Sequence, residues 1–216
     1  KAVTGNPLGM ATNLTFKGSG ELDGGQTFSV TIANDDQNVY SSANITLNTN
    51  SLGKFVLSQG EGGNGIDGYN DKAPTAWEET TGTGLTIGND QIGGLGGSTS
   101  IAWTSPSVAQ STIQLAYAAR NDGVKVNDKA TSGSTGLKGS AFDVVVDINP
   151  QFDLFGANLF AGYHVSDMGD GYDGAASTQK RSADHEEGTA GIILTVGPVQ
   201  AGFQRSIEHP GNQTIG

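Results

Sequence analysis

The 216 residues suffice for one β domain or two ordinary domains, and with Gly at 34 but Pro at 6 they favour tight turns over stiff linkers. A formal net charge of −11, from 22 acids against 11 bases, argues against nucleic acid, whose binding draws on clustered Lys and Arg. The lack of cysteine excludes disulfides, thiolate zinc sites and Cys nucleophiles.

The chain opens at Lys1-Ala2-Val3-Thr4 in turn-rich sequence without a signal-peptide pattern, as expected of a mature or trimmed chain. Its longest apolar run, GIILTV from Gly191, is too short for a transmembrane helix. Period-2 patterning predicts strands over about 12–22, 26–34, 38–49 and 53–59. Phe28, Val30 and Ile32 alternate with Ser29 and Thr31, and Ala43, Ile45 and Leu47 with Asn44, Thr46 and Asn48. Over 60–97 the alternation stops, which predicts a loop of a length that usually carries function. Strands resume over 98–105 and 111–121, where Ile113, Leu115, Tyr117 and Ala119 oppose Gln114, Ala116, Ala118 and Arg120. Four more are expected over 140–149, 154–165, 188–197 and 199–208. In the first of these, Phe142, Val144, Val146 and Ile148 oppose Asp143, Val145 and Asp147. The last departs from the rule, because the parity of Val199, Ala201 and Phe203 also carries Arg205.

One face of most strands is medium-sized and apolar, and the other is Asn, Thr, Ser, Gln and Gly with occasional charge. A sandwich would favour larger residues inside and charge outside; lipid on one side and a wet lumen on the other suits this pattern better. From the second connection onward, tight turns alternate with longer loops, as in barrels with short turns at one rim and long loops at the other. The expected fold is all-β: an antiparallel transmembrane β-barrel, one domain over 1–216 with no composition shift inside it.

The stretch LTFKGSGELDGGQTFSVTIANDDQNVYSSANITLNTNSLGKFVLSQGEGGNG, from Leu14, resembles the early hairpins of Gram-negative outer-membrane porins of the alphaproteobacterial type. Its carriers are a glycine-turn strand pair, an S-x-N-I-T-L strand, and L-G-K-F-x-L leading into the long loop. The resemblance implies a 16-stranded barrel, a homotrimer in the bacterial outer membrane among lipid and lipopolysaccharide, and a third loop folded inward to narrow the pore. It also implies that the ten strands are the second to the eleventh of a longer chain, since no first strand precedes them and the end, GNQTIG, lacks a terminal aromatic strand.

The long loop offers Glu61, Asp67, Asp71, Glu78, Glu79 and Asp90 against Lys72. Folded into a barrel, Glu61, Asp67, Asp71, Glu78 and Glu79 would line a constriction and select ions by sign. Lys17, Lys54 and Arg120 are the basic candidates for the facing wall, and Tyr69 and Trp77 the anchors of the loop. Asp167, Asp170 and Asp173, among glycines within a long external loop, form a candidate calcium site, with an ordinary polar turn as the competing reading. No cofactor is required. His164, His185 and His209 lie in separate segments, no G-x-S-x-G or H-E-x-x-H occurs, and Glu186–Glu187 beside His185 reads as surface charge. The expected function is passive diffusion of small hydrophilic solutes and ions with a cation bias, not catalysis. The alternatives are a secreted or surface-layer calcium-binding, adhesive β-protein and a substrate-specific outer-membrane channel.

Overall fold

The computed structural model describes residues 13–35, 38–73, 92–119, 138–168, 171–172, 179–181 and 183–214. The first hairpins are β1 (Asn13–Glu21), β2 (Thr27–Asp35), β3 (Asn38–Asn48) and β4 (Lys54–Gln59). After the long loop come β5 (Ser100–Thr104), β6 (Ser111–Ala118), β7 (Lys138–Ile148) and β8 (Gly156–Met168). Two short strands follow, β9 (Gly171–Tyr172) and β10 (Gln179–Arg181), then β11 (His185–Val196), β12 (Val199–His209) and the short β13 (Asn212–Thr214).

Ten strands form one sheet in the order β1-β2-β3-β4-β5-β6-β7-β8-β11-β12, each antiparallel to its neighbours. These are the ten strands the alternation predicts. The short β13-β10-β9 sheet has too little pattern to be read from sequence. Boundaries move by up to about three residues, and two of these shifts bear on the site: β11 starts at His185, three residues earlier than expected, and β8 runs to Met168. Among the described residues the sheet is open, with β1 and β12 as its edges.

The strand ends joined by 22–26, 49–53, 105–110, 149–155 and 197–198 lie at one rim, and those joined by 36–37, 60–99, 119–137 and 169–184 at the other. The three longest connections thus leave from one rim, together with the two-residue link between β2 and β3.

Register assigns the faces, because residues opposite one another share a side. One row reads Val30, Ile45, Leu57, Ile101, Tyr117, Phe142 and Val165 across seven strands. The next reads Phe28, Leu47, Phe55, Trp103, Leu115, Val144 and Tyr163. The opposite face carries Ser29, Thr46, Val56, Ala102, Ala116, Asp143, His164, Glu187 and Glu208 in a single row. The apolar face is the exposed one: Ile101 is 57% exposed and Phe142 41%, whereas Asp143 and His164 are fully buried. What covers the polar face is the long loop. Leu95 packs with Ala102, Ala116, Ala118 and Ala141, and Ile66 and Ile92 pack with Val145 and Tyr69. These two clusters lie between loop and wall.

Candidate pore constriction

The loop leaves β4 at Gln59 and is closed at its neck by Gly60 N–H donating to Gly97 O at 2.9 Å. Its first limb forms a 3₁₀ turn, Gly65–Tyr69. Glycine is required at Gly65, where φ is +73° and a Cβ would overlap the Asp143 carboxylate. Asp67 closes the turn by accepting from Gly63 N–H at 2.5 Å. Ile66 points into the wall and is fully buried. It occupies the space over Gly162, where a Cβ would come within 2.6 Å of Ile66 Cγ2.

The wall meets this limb with acceptors. Ile66 N–H donates to Asp143 Oδ2 at 2.9 Å and Gly65 N–H to Gln114 Oε1 at 3.0 Å. Tyr69 O–H donates to Asp147 Oδ2 at 2.8 Å, and its ring lies 5.4 Å from that of Phe160. Burial, reinforced by the Asp147 carboxylate, pushes the Tyr69 phenol above the ordinary tyrosine range. On β12, Gln204 donates to Tyr69 O at 2.6 Å and Asn70 O at 3.1 Å, and accepts from Ala73 N–H at 3.1 Å. The returning limb donates from Gly93 N–H and Gly94 N–H to Glu187 Oε2, at 2.9 and 2.7 Å. Hydrogen bonds to a charged acceptor are worth about 1.5–3 kcal/mol each, so Asp143 and Glu187 are the strong pins. Both are tied to histidines: Asp143 Oδ1 to His164 Nδ1, and Glu187 Oε1 to His185 Nε2 at 3.3 Å.

The sequence-predicted residues are distributed unevenly. Glu61 is exposed and accepts from Asn44 on β3. Asp67 is half-buried in its own turn, and Asp71 is exposed beside Lys72, whose ammonium lies 5.1 Å from the centre of the Tyr69 ring. Lys17 and Lys54 are exposed on the polar face, Lys17 in the row of Thr31, Asn44 and Ser58, so that it shares that row with the asparagine holding Glu61. Glu78, Glu79, Asp90, Trp77, Arg120, Asp170 and Asp173 lie outside the described residues.

Two readings are corrected. Asp167 lies within β8 and not in a loop, because that strand continues to Met168. Glu187 is not surface charge: it is 6% exposed, within β11, on the polar face under the loop. Asp143, Asp147, Glu187 and Gln204 were not among the candidates. Their signal was the parity of their strands, which puts Asp143, Asp147 and Gln204 opposite the apolar positions.

The result is a segment carried across the polar face from β6 to β12. No protein-family model and no curated protein matches the chain. Solved structures do. The chain is similar to porins. A variant of Rhodobacter blastica porin with five substitutions matches at 13% identity, over 93% of this chain and 85% of that one, with a TM-score of 0.42. A variant with two substitutions matches at 14%, over 91% and 79%, with a TM-score of 0.41. That likeness carries no residue role to this chain.

Proposed function

We propose that the chain forms a water-filled channel in a bacterial outer membrane, passing small hydrophilic solutes and ions by diffusion with a bias towards cations. The observation that carries the reading is the inverted polarity of the sheet. Large apolar side chains stand exposed in continuous rows, while serine, threonine, aspartate and histidine face inward beneath the loop. In water such rows would form an apolar patch far larger than a soluble protein tolerates; in a bilayer they are the lipid-facing belt. No helix among the described residues is long and apolar enough to cross a membrane; the reading rests on the apolar rows of the strands. Lipid excludes open strand edges, so β1 and β12 must be paired in the membrane, which favours a closed barrel. Glu61 and Asp71 are the exposed loop acids of the described residues; they supply the negative field that attracts cations.

The test is conductance in planar bilayers with a salt gradient. Stepwise conductance and a reversal potential of cationic sign are expected, with Glu61→Gln and Asp71→Asn moving that potential towards zero. A protein that stays monodisperse without detergent and gives no steps overturns the channel, and anion preference overturns the bias.

A further inference from the structure

Beside the returning limb of the loop, strand register gathers a second group of side chains. His185 and Glu187 are two apart on β11 and so share a face, and Glu187 stands directly opposite Glu208 on β12. His185 Nε2 lies 2.9 Å from Glu208 Oε1 and 3.3 Å from Glu187 Oε1. One nitrogen and an oxygen from each carboxylate all fall within 4.8 Å of one another. A tetrahedral zinc ion with bonds of about 2.0–2.2 Å sets its ligand atoms roughly 3.3 Å apart, so little movement separates this cluster from a coordination shell.

The surroundings orient the donors. Glu187 has its other oxygen, Oε2, fixed by the N–H groups of Gly93 and Gly94, which leaves Oε1 turned to the imidazole. The His185 ring packs edge-on against His164 at 5.9 Å between centroids, and His164 is in turn tied to Asp143. Such outer partners hold metal ligands in place in known metal sites. Two carboxylates brought into one cluster repel each other, and a divalent cation between them offsets both charges. Glu208 is the most exposed of the three, its side chain 37% exposed, and gives an ion access.

We propose that His185, Glu187 and Glu208 bind a divalent transition cation of the zinc class, with three protein ligands and a fourth position open to water. An imidazole in the set favours zinc over calcium, which takes 6–8 oxygen ligands. The bound ion removes negative charge from the wall and clamps β11 to β12 at the point where Glu187 holds the loop, so it reduces cation flow through the channel.

The experiment uses the full, untagged chain refolded in detergent. Calorimetric titration with zinc is expected to give one saturable site per chain, cobalt to give the visible bands of a tetrahedral ion, and magnesium and calcium to bind at least tenfold more weakly. His185→Gln and the more exposed Glu208→Gln are each expected to weaken zinc binding about 100-fold, beyond or at the top of the 10–100-fold typical for losing an outer partner. Glu186→Gln, a change to the neighbouring residue on the opposite face, is expected to leave it intact. Circular dichroism and heat resistance identify any variant that has failed to fold, and Glu208→Gln then decides. Zinc binding only at millimolar concentration, binding unchanged in both ligand variants, or tighter binding of calcium would each overturn the site. Binding is read without conductance, so its failure is distinct from failure of the channel reading.

Discussion

The seating of the loop is most sharply tested at Gly65. An added Cβ would overlap the Asp143 carboxylate and lie 2.6 Å from Asp143 Cβ itself, so no rotation of that side chain makes room. Asp143 is fully buried and tied to His164, which blocks retreat of the wall. In Gly65→Ala the turn must therefore lift. It then loses the Ile66 N–H bond to a charged acceptor, about 1.5–3 kcal/mol, and the Gly65 N–H bond to Gln114, about 1 kcal/mol. The left-handed backbone at φ +73° adds about 1–2 kcal/mol of strain. A loss of about 3.5–6 kcal/mol shifts the ratio of seated to lifted loop by about 2.5 to 4 powers of ten. The control is Gly63→Ala. It carries the same kind of strain, at φ +89°, but nothing lies within 4 Å of the new Cβ. Single-channel recording and limited proteolysis of reconstituted vesicles read the outcome. Gly65→Ala is expected to raise conductance and expose the loop to cleavage, while Gly63→Ala stays near the parent in both. Equal conductance and equal cleavage for the two variants would refute both the pinning and the placement of the loop across the passage.

Other substitutions probe separate parts of the molecule. Tyr69→Phe removes the bond to Asp147 and is expected to loosen the loop by about 1–2 kcal/mol, seen as faster cleavage. Because folded Tyr69 holds its proton more tightly than the unfolded phenol, its contribution is whole below pH 10 and is lost as pH rises through the higher folded value. The parent should thus show an alkaline release of the loop above pH 10 that Tyr69→Phe lacks. Ile101→Arg should cost about 2–4 kcal/mol in denaturant unfolding from vesicles if the residue meets lipid near the midplane, whereas a 57% exposed isoleucine on a water-soluble surface would tolerate the change within about 0.5 kcal/mol. Arg205 belongs to the outward row with Ala190 and Ala161, so Arg205→Leu is expected to stabilise the protein in the same assay by up to about 2–4 kcal/mol.

The strands were legible because alternation is local. Phe142, Val144 and Val146 against Asp143 and Asp147 can be read without knowing any partner strand. The site was not legible in the same way. Glu187, Glu208, His164 and Asp143 fall into one row only through the registers of three separate ladders. A reading that starts β11 at Gly188 leaves both His185 and Glu187 in a loop. Composition pointed to the acids of the long loop, but a glycine-rich segment pressed on a wall offers chiefly backbone N–H groups, and these need acceptors opposite them. Asp67 is consumed inside its own turn, while the pins that hold the limbs are carboxylates and amides of the strands, Asp143, Asp147, Glu187 and Gln204. Where the polar face of a sheet is its interior, acids on inward strand parity serve as anchors. Of the long loop's acids among the described residues, Glu61 and Asp71 are the exposed ones, and the proposed cation bias rests on them.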